Sequence, residues 1–239
     1  MALFTIADLH LSLTAEKPMD VFGKKWEGYV ERIRTEWLAR VEKGDTVVLP
    51  GDFSWGMTLL EAEADFRFLD SLPGEKILLK GNHDYWWNSL SKMNSFLEEK
   101  GISSIRFLQN DAIEAEGKIL CGSRGWICEE KMAAQDEKIL AREALRFSLS
   151  LKKGAALRDR IRNERGFEPE ILCFSHYPLI TSAQRENPVL PVLEAYGVKR
   201  VYYGHLHQWE GKPLFPFYHG IEFHLIASDH ISFIPQKIE

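Results

Sequence analysis

Cysteine is scarce in this 239-residue chain. The three present, Cys121, Cys128 and Cys173, are odd in number and show no C-x-x-C spacing. That argues against a disulfide framework and against a thiolate zinc site, and makes a reducing, cytoplasmic setting the expectation. Long apolar runs are missing too. Nothing approaches the roughly 20 residues of a membrane span, and the amino terminus MALFTIADLH has neither a basic n-region nor an h-region of signal length. There is no basic excess either. A formal charge of −5 gives no global attraction to nucleic acid or anionic membrane, so contact with phosphate has to come from a local positive feature such as a metal site.

What is present is an alternation of strands and helices, expected to form one α/β domain over 1–239. Leu3 to Ala7, Val47 to Leu49 and Glu75 to Lys80 have strand character. Between and after them lie helical stretches at Glu27 to Lys43, with Val30, Ile33, Trp37, Leu38 and Val41 on one face, at Thr58 to Leu72 and at Ser89 to Lys100. From Ser104 the period shortens to strands at Ile105 to Gln109, Ala112 to Glu116 and Lys118 to Gly122, with Glu116-Gly117 as a hairpin turn. A charged helical segment, about 129–165, is expected to leave the sheet as a cap-like insertion. Its basic stretch from Lys152 to Arg165 has the composition of a solvated helix face more than of a substrate patch. The pattern resumes at Ile171 to Phe174, a helix near Val189 to Tyr196, Val201 to Tyr203, and closing strands near Phe223 to Ala227 and Ser232 to Pro235.

Five of these apolar runs end in residues that ligate metals. They lead into Asp8-Leu9-His10, Gly51-Asp52, Gly81-Asn82-His83-Asp84, Ser175-His176 and Gly204-His205-Leu206-His207. In α/β sheets one strand edge carries ligands and chemistry, so the five ends can converge. The donors Asp8, His10, Asp52, Asn82, His176, His205 and His207 offer oxygen and imidazole nitrogen, which suits manganese, iron, zinc or cobalt. Seven donors are too many for one tetrahedral ion and fit two ions. Two divalent ions against two aspartates leave roughly +2, which favours an anionic substrate and phosphoryl chemistry. His83, beside a ligand, can then give a proton to a departing alkoxide, with Asp84 orienting it.

The ordered series D-x-H, G-D, G-N-H-D, H and G-H-x-H, spanning Asp8 to His207, resembles the calcineurin-like metallophosphoesterase superfamily. The resemblance implies a central β-sandwich flanked by helices, an α/β/β/α arrangement with a helical insertion. It also implies a dinuclear centre, with manganese first among the candidate metals. Asp8, His10, Asp52 and His207 would hold one ion, and Asp52, Asn82, His176 and His205 the other, with Asp52 bridging. The activity implied is hydrolysis of a phosphomonoester or phosphodiester by a metal-bridging hydroxide, on a phosphate ester of unspecified identity. The rival is a catalytically silent scaffold of this fold that binds protein. Trp55 departs from the pattern, because many members carry Asp or Tyr there and an indole cannot coordinate.

Other residues near the motifs have two readings each. Arg124 suits a phosphate clamp or a surface salt bridge. Trp86, Tyr177, Trp55 and Trp87 suit a substrate platform, although large aromatics beside a site more often form wall and core. His219, His224 and His230 have no matching partners, and Asp229-His230, which follows a strand, is left outside the set.

Overall fold

The computed structural model describes residues 1–15, 17, 19–181, 186–207 and 215–239. Apolar runs buried on both faces become parallel strands, because a parallel sheet is covered on both sides. β1 (Leu3–Thr5), β2 (Thr46–Pro50), β3 (Glu75–Leu79) and β4 (Ile105–Phe107) lie side by side and parallel, and β11 (Gln236–Ile238) closes the sheet antiparallel to β1. A second sheet has the order β5-β6-β7-β8-β10-β9. It comprises β5 (Ala112–Ala115), β6 (Lys118–Ser123), β7 (Ile171–Ser175), β8 (Arg200–Tyr203), β9 (Phe217–Tyr218) and β10 (Ile221–Leu225), with β6, β7, β8 and β10 parallel. Glu116 and Gly117 both have positive φ, 50° and 73°, as a two-residue turn between β5 and β6 requires.

Three apolar layers hold the sheets and helices together. Leu3, Val48, Ile77, Leu120, Leu172, Phe174 and Ile226 pack between the two sheets. Outside the first sheet, Ile33, Trp37, Phe66, Met93 and Leu97 bury the inner faces of α1 (Tyr29–Leu38), α2 (Glu63–Ser71) and α3 (Leu90–Lys100). Outside the second sheet, Phe147, Leu151, Ile161 and Leu193 bury α4 (Ala134–Arg165) and α5 (Leu190–Ala195). The α/β/β/α sandwich is thus present. The sheets meet where Ala7, just beyond β1, bridges Ala227 just beyond β10, with Ala7 N–H donating to the Ile226 carbonyl at 2.9 Å. No described helix is long and apolar enough to cross a membrane.

The structure moves several expected boundaries. Gly28 is left-handed, φ 61°, so α1 cannot begin at Glu27. It stops at Leu38, which is 58% exposed and not on the buried face. α2 starts at Glu63, after a turn, and not at Thr58. Ser232 and Phe233 have φ of 56° and 63°, incompatible with a strand, so the closing strand begins at Gln236.

The largest difference concerns α4, which was expected to leave the sheet. It lies along β5 and β6 instead. Ser150 donates its hydroxyl to the Asp111 carbonyl at 2.6 Å and accepts the Gly122 N–H at 2.9 Å, and Ser123 donates to Glu143 at 2.7 Å. A Cβ at Gly154 would overlap Cys121 Sγ, so glycine is what lets the helix approach. The basic stretch is paired on the surface, Lys153 with Asp111, Arg162 with Asp159 and Arg165 with Glu114, in line with a solvated face.

A helix that belongs to the core has a measurable signature. Leu151→Ala is expected to lower unfolding stability by about 2–5 kcal/mol. Leu149→Ala, at a position 53% exposed, is expected to change it by less than about 0.5 kcal/mol. Urea titrations of both variants check this, and equal small effects would mean that α4 is detachable.

Candidate metal centre

All five strand ends singled out in the sequence arrive at one edge of the sandwich. β1 delivers Asp8 and His10, β2 delivers Asp52, β3 delivers Asn82, His83 and Asp84, β7 delivers His176, and β8 delivers His205 and His207. The chain must turn sharply as each strand ends. Asp8, His10, Asp52 and His205 all adopt left-handed backbone, with φ of 60°, 46°, 52° and 69°, at an order-of-magnitude cost of about 1–3 kcal/mol each. Glycine makes the approach possible. A Cβ at Gly81 would overlap the Asp52 carboxylate, and one at Gly204 would overlap the Asp8 carboxylate.

Two donor clusters result. Asp8, His10 and His207 form one; Asp8, Asp52 and His176 form the other, the ligand atoms of each lying within 4.8 Å of one another. His10 Nε2 and His207 Nε2 are 2.9 Å apart, and Asp8 Oδ1 is 3.8 Å from His207 Nε2. His176 Nε2 lies 2.7 Å from Asn82 Oδ1 and 3.4 Å from Asp52 Oδ2. Asp52 Oδ2 is also 3.7 Å from His10 Nε2, which puts this one oxygen between the two clusters. The shared Asp8 contact to His176 runs through Nδ1, at 3.7 Å, but that nitrogen donates to the Pro50 carbonyl at 3.2 Å. Nε2 is then the free lone pair, and Asp52 is the better bridge.

Histidine tautomers are set from behind in the same way. His207 donates Nδ1–H to Asp229 Oδ1 at 2.9 Å, leaving Nε2 for the cluster. Asp229 is thus a site residue that the sequence analysis left out. It stands just beyond a strand, as the other five stations do, so the same strand-end criterion would have found it. His205 does not join either cluster through its ring, which packs on Tyr177 with centroids 4.2 Å apart. Its backbone N–H donates to both Asp8 oxygens, at 3.1 and 2.9 Å.

Burial dominates the electrostatics of this edge. Burial pushes the Asp8 carboxyl up to about 7 and the Asp52 carboxyl well above the usual range, with the Asp84 and Asp8 charges adding to the shift at Asp52. Burial also holds His10 and His176 well below the usual imidazole range and His205 at about 4. At His207 burial acts in the same sense, but the Asp229 hydrogen bond and the Asp8 charge outweigh it and raise the pKa. Neutral imidazoles and carboxylates short of positive charge are what a divalent ion requires. Asp52 Oδ2, which lies between His10 Nε2 and His176 Nε2, is buried without a hydrogen-bond partner, a further mark of a place prepared for a ligand.

Asp84 is not where the sequence analysis put it. It does not orient His83. Its Oδ2 accepts the N–H groups of Asp52 at 2.9 Å and Gly81 at 2.7 Å, and its Oδ1 accepts Phe53 N–H at 3.0 Å and the Trp86 indole N–H at 3.1 Å. The carboxylate is consumed by the two loops it joins. His83 accordingly feels no charged partner through Asp84. Burial, followed by the charges of His207 and Lys17, lowers its pKa, and its Nδ1 is buried without a partner.

Among the aromatics, Trp86 is 1% exposed in the core beside Phe53 and Phe66 and cannot meet a substrate. Tyr177 is also buried, as a wall behind His176 and His205. Trp55 occupies its departure position as a lid on the imidazoles. It stacks on His10 with centroids 5.0 Å apart and tilts over His83 at 4.4 Å. Trp26, another residue missed in the sequence, meets both His10 and His207 edge-on. Arg124 is 15% exposed, 3.9 Å from Glu143, and over the Trp126 ring at 4.5 Å.

A family model described as calcineurin-like phosphoesterase matches residues 1–209. Among solved structures, a protein of unknown function from Aquifex aeolicus is similar with a TM-score of 0.54 and 17% identity, over 99% of this chain and 95% of that one. A phosphopantetheinyl hydrolase from Mycobacterium tuberculosis is similar at 0.51 and 13%, over 99% and 95%. At such identities the likeness is one of fold. No curated protein matches the chain.

The Asp84 geometry leads to a stability prediction. Asp84→Asn sets an amide NH2 against backbone N–H donors, so the loss is expected to be about 1.5–3 kcal/mol for each charge-assisted bond broken. Thermal unfolding of the variant checks this. A melting temperature equal to wild type would show that the carboxylate does not hold these loops together.

Proposed function

The chain belongs to the calcineurin-like phosphoesterase family, and on that premise we propose that it is a metal-dependent phosphohydrolase acting from a dinuclear centre within one domain. The observation that carries the reading is Asp52 Oδ2. It is buried and unpartnered, and it lies 3.7 Å from His10 Nε2 on one side and 3.4 Å from His176 Nε2 on the other. Asp8, His10, Asp52 and His207 would hold one ion, and Asp52, Asn82 and His176 the other, with His205 joining them only if its ring turns from Tyr177, manganese being our first choice from the oxygen and imidazole donor set. Bound there, two divalent cations supply positive charge for the phosphoryl oxygens and a water of lowered pKa.

The chain's own residues do the rest. Asp229 keeps His207 in the tautomer that presents Nε2, and Pro50 does the same for His176. The Asp52 carboxylate is steadied by His83 N–H, which donates to Oδ1 at 2.8 Å and leaves Oδ2 exposed to the cluster. We assign the His83 ring, half-buried under Trp55, the part of proton donor to the leaving oxygen. Burial lowers its pKa, so the negative charge of a bound phosphate would have to hold the proton there. A scaffold that only binds protein has no use for this imidazole.

The first test is hydrolysis of p-nitrophenyl phosphate and bis-p-nitrophenyl phosphate by protein reconstituted with manganese, iron, zinc or cobalt. Metal-dependent turnover is expected, and silence from protein shown to hold two ions would overturn the reading. His83→Ala is expected to lower turnover of an alkyl phosphate by about 10²–10⁴, with a smaller effect on the p-nitrophenyl ester and unchanged metal content. Equal losses on both esters would remove His83 from the proton-donor role. Asp229→Asn is expected to weaken metal binding by about 10–100-fold, measured by chelator competition. Wild-type affinity in that variant would show that the His207 tautomer is set without it.

A further inference from the structure

Beside the metal centre lies a second, strongly basic cleft of about 200 Å³, walled by Lys80, Arg124, Arg142 and Arg146 together with Gln109 and Ser123. It shares backbone with the site. Lys80 is two residues before Asn82, and the Arg124 carbonyl accepts the N–H groups of His176 at 3.0 Å and Tyr177 at 2.9 Å. Four cations face one carboxylate. That carboxylate, Glu143, is fully buried and already occupied by Arg146 at 2.6 Å and the Ser123 hydroxyl at 2.7 Å.

Surface basic helices usually have their charge met by carboxylates or water, as Lys153 is by Asp111 and Arg165 by Glu114 on the far part of α4. Here the arrangement is different. Arg124 is held in place by the Trp126 ring and the distant Glu143 carboxylate, and its buried Nε has no acceptor. A guanidinium that lines a cationic cleft and has an N–H without an acceptor suits an anion, and arginine suits phosphate in particular. At about 200 Å³ the cleft has room for a phosphate group.

The geometry points to a second phosphate-binding subsite, which makes the preferred substrate one that carries another phosphate group besides the one hydrolysed. This deepens the proposed function and rests on it for the cleaved bond. One phosphate sits at the donors of Asp8, Asp52 and the histidines, and the other is received by Arg124, Arg142, Arg146 and Lys80.

The test counts bound inorganic phosphate on full-length, manganese-loaded protein by equilibrium dialysis. Wild type is expected to bind two per chain and the Arg142→Gln/Arg146→Gln double variant one, with folding checked by its melting temperature. Should the double variant fail to fold, Arg142→Glu alone, at an exposed position, carries the same expectation. One phosphate in both proteins overturns the subsite and leaves the metal reading standing. One in wild type and none in the variant keeps the subsite and removes the metal site as a phosphate binder. Two in both removes the arginines from the subsite. In turnover, the double variant is expected to lose at least tenfold more kcat/KM on a bisphosphorylated ester than on its monophosphate counterpart. Parallel losses would overturn the assignment.

Discussion

The candidate metal centre depends on one carboxylate that is not free to bind a metal. Asp84 takes backbone N–H groups from Asp52, Phe53 and Gly81 together with the Trp86 indole, so the loops after β2 and β3 close on a common anion. Burial raises its pKa and these backbone bonds oppose the rise. A buried carboxylate is tolerated only with such donors. Because Gly81 and Asp52 are drawn to the same oxygen, the Asp52 side chain is pressed against the Gly81 backbone, where any side chain would collide. Its Oδ1 then falls to His83 N–H and its Oδ2 is left over. The position of the proposed bridging oxygen follows from that sequence of constraints.

The same logic extends to the far sheet. Asp8 is clamped by the His205 N–H, so the ends of β1 and β8 are tied as those of β2 and β3 are. Left-handed backbone at Asp8, His10, Asp52 and His205 is a local cost that the three surrounding apolar layers can absorb. The return on that strain is geometric. His10 and His176, kept neutral by burial, and the carboxylates of Asp8 and Asp52 stand ready, so little has to rearrange when a cation arrives.

Much of this was legible in the sequence because strand ends are marked twice, by an apolar run that stops and by the polar residue that follows. Asp8, Asp52, Asn82, His176 and His207 could be placed from that alone. The differences share a cause: residues adjacent in sequence need not be adjacent in space. Asp84 is next to His83 but points to the backbone of another loop, and Trp86 follows them but turns into the core. Asp229 is 22 residues from His207 yet bonds to it. The α4 segment looked like an excursion because its composition is charged. Its burial is sparse along the chain, as one stripe of Phe147, Ser150, Leu151, Gly154 and Ile161, and a small-residue stripe leaves a weaker mark than an apolar one.

The two flanks of the centre have opposite character, and this decides how a substrate would lie. Trp55 and Trp26 cover His10, His83 and His207 on one flank with aromatic surface, where a proton donor is shielded and water is kept away. On the other flank the Arg124 carbonyl holds the backbone of His176 while its guanidinium faces the basic cleft. On the proposed reading the departing group would lie with His83 on the aromatic flank. On the same reading any further negative charge would go to Arg124 and Lys80, where four cations line one cleft, while the aromatic flank offers the single ammonium of Lys17 over Trp55. The polarity of the site comes from the connections: the loops after β1 and β2 contribute the aromatic flank, and the residues just beyond β3 and β6, Lys80 and Arg124, with Arg142 and Arg146 of α4, contribute the basic one.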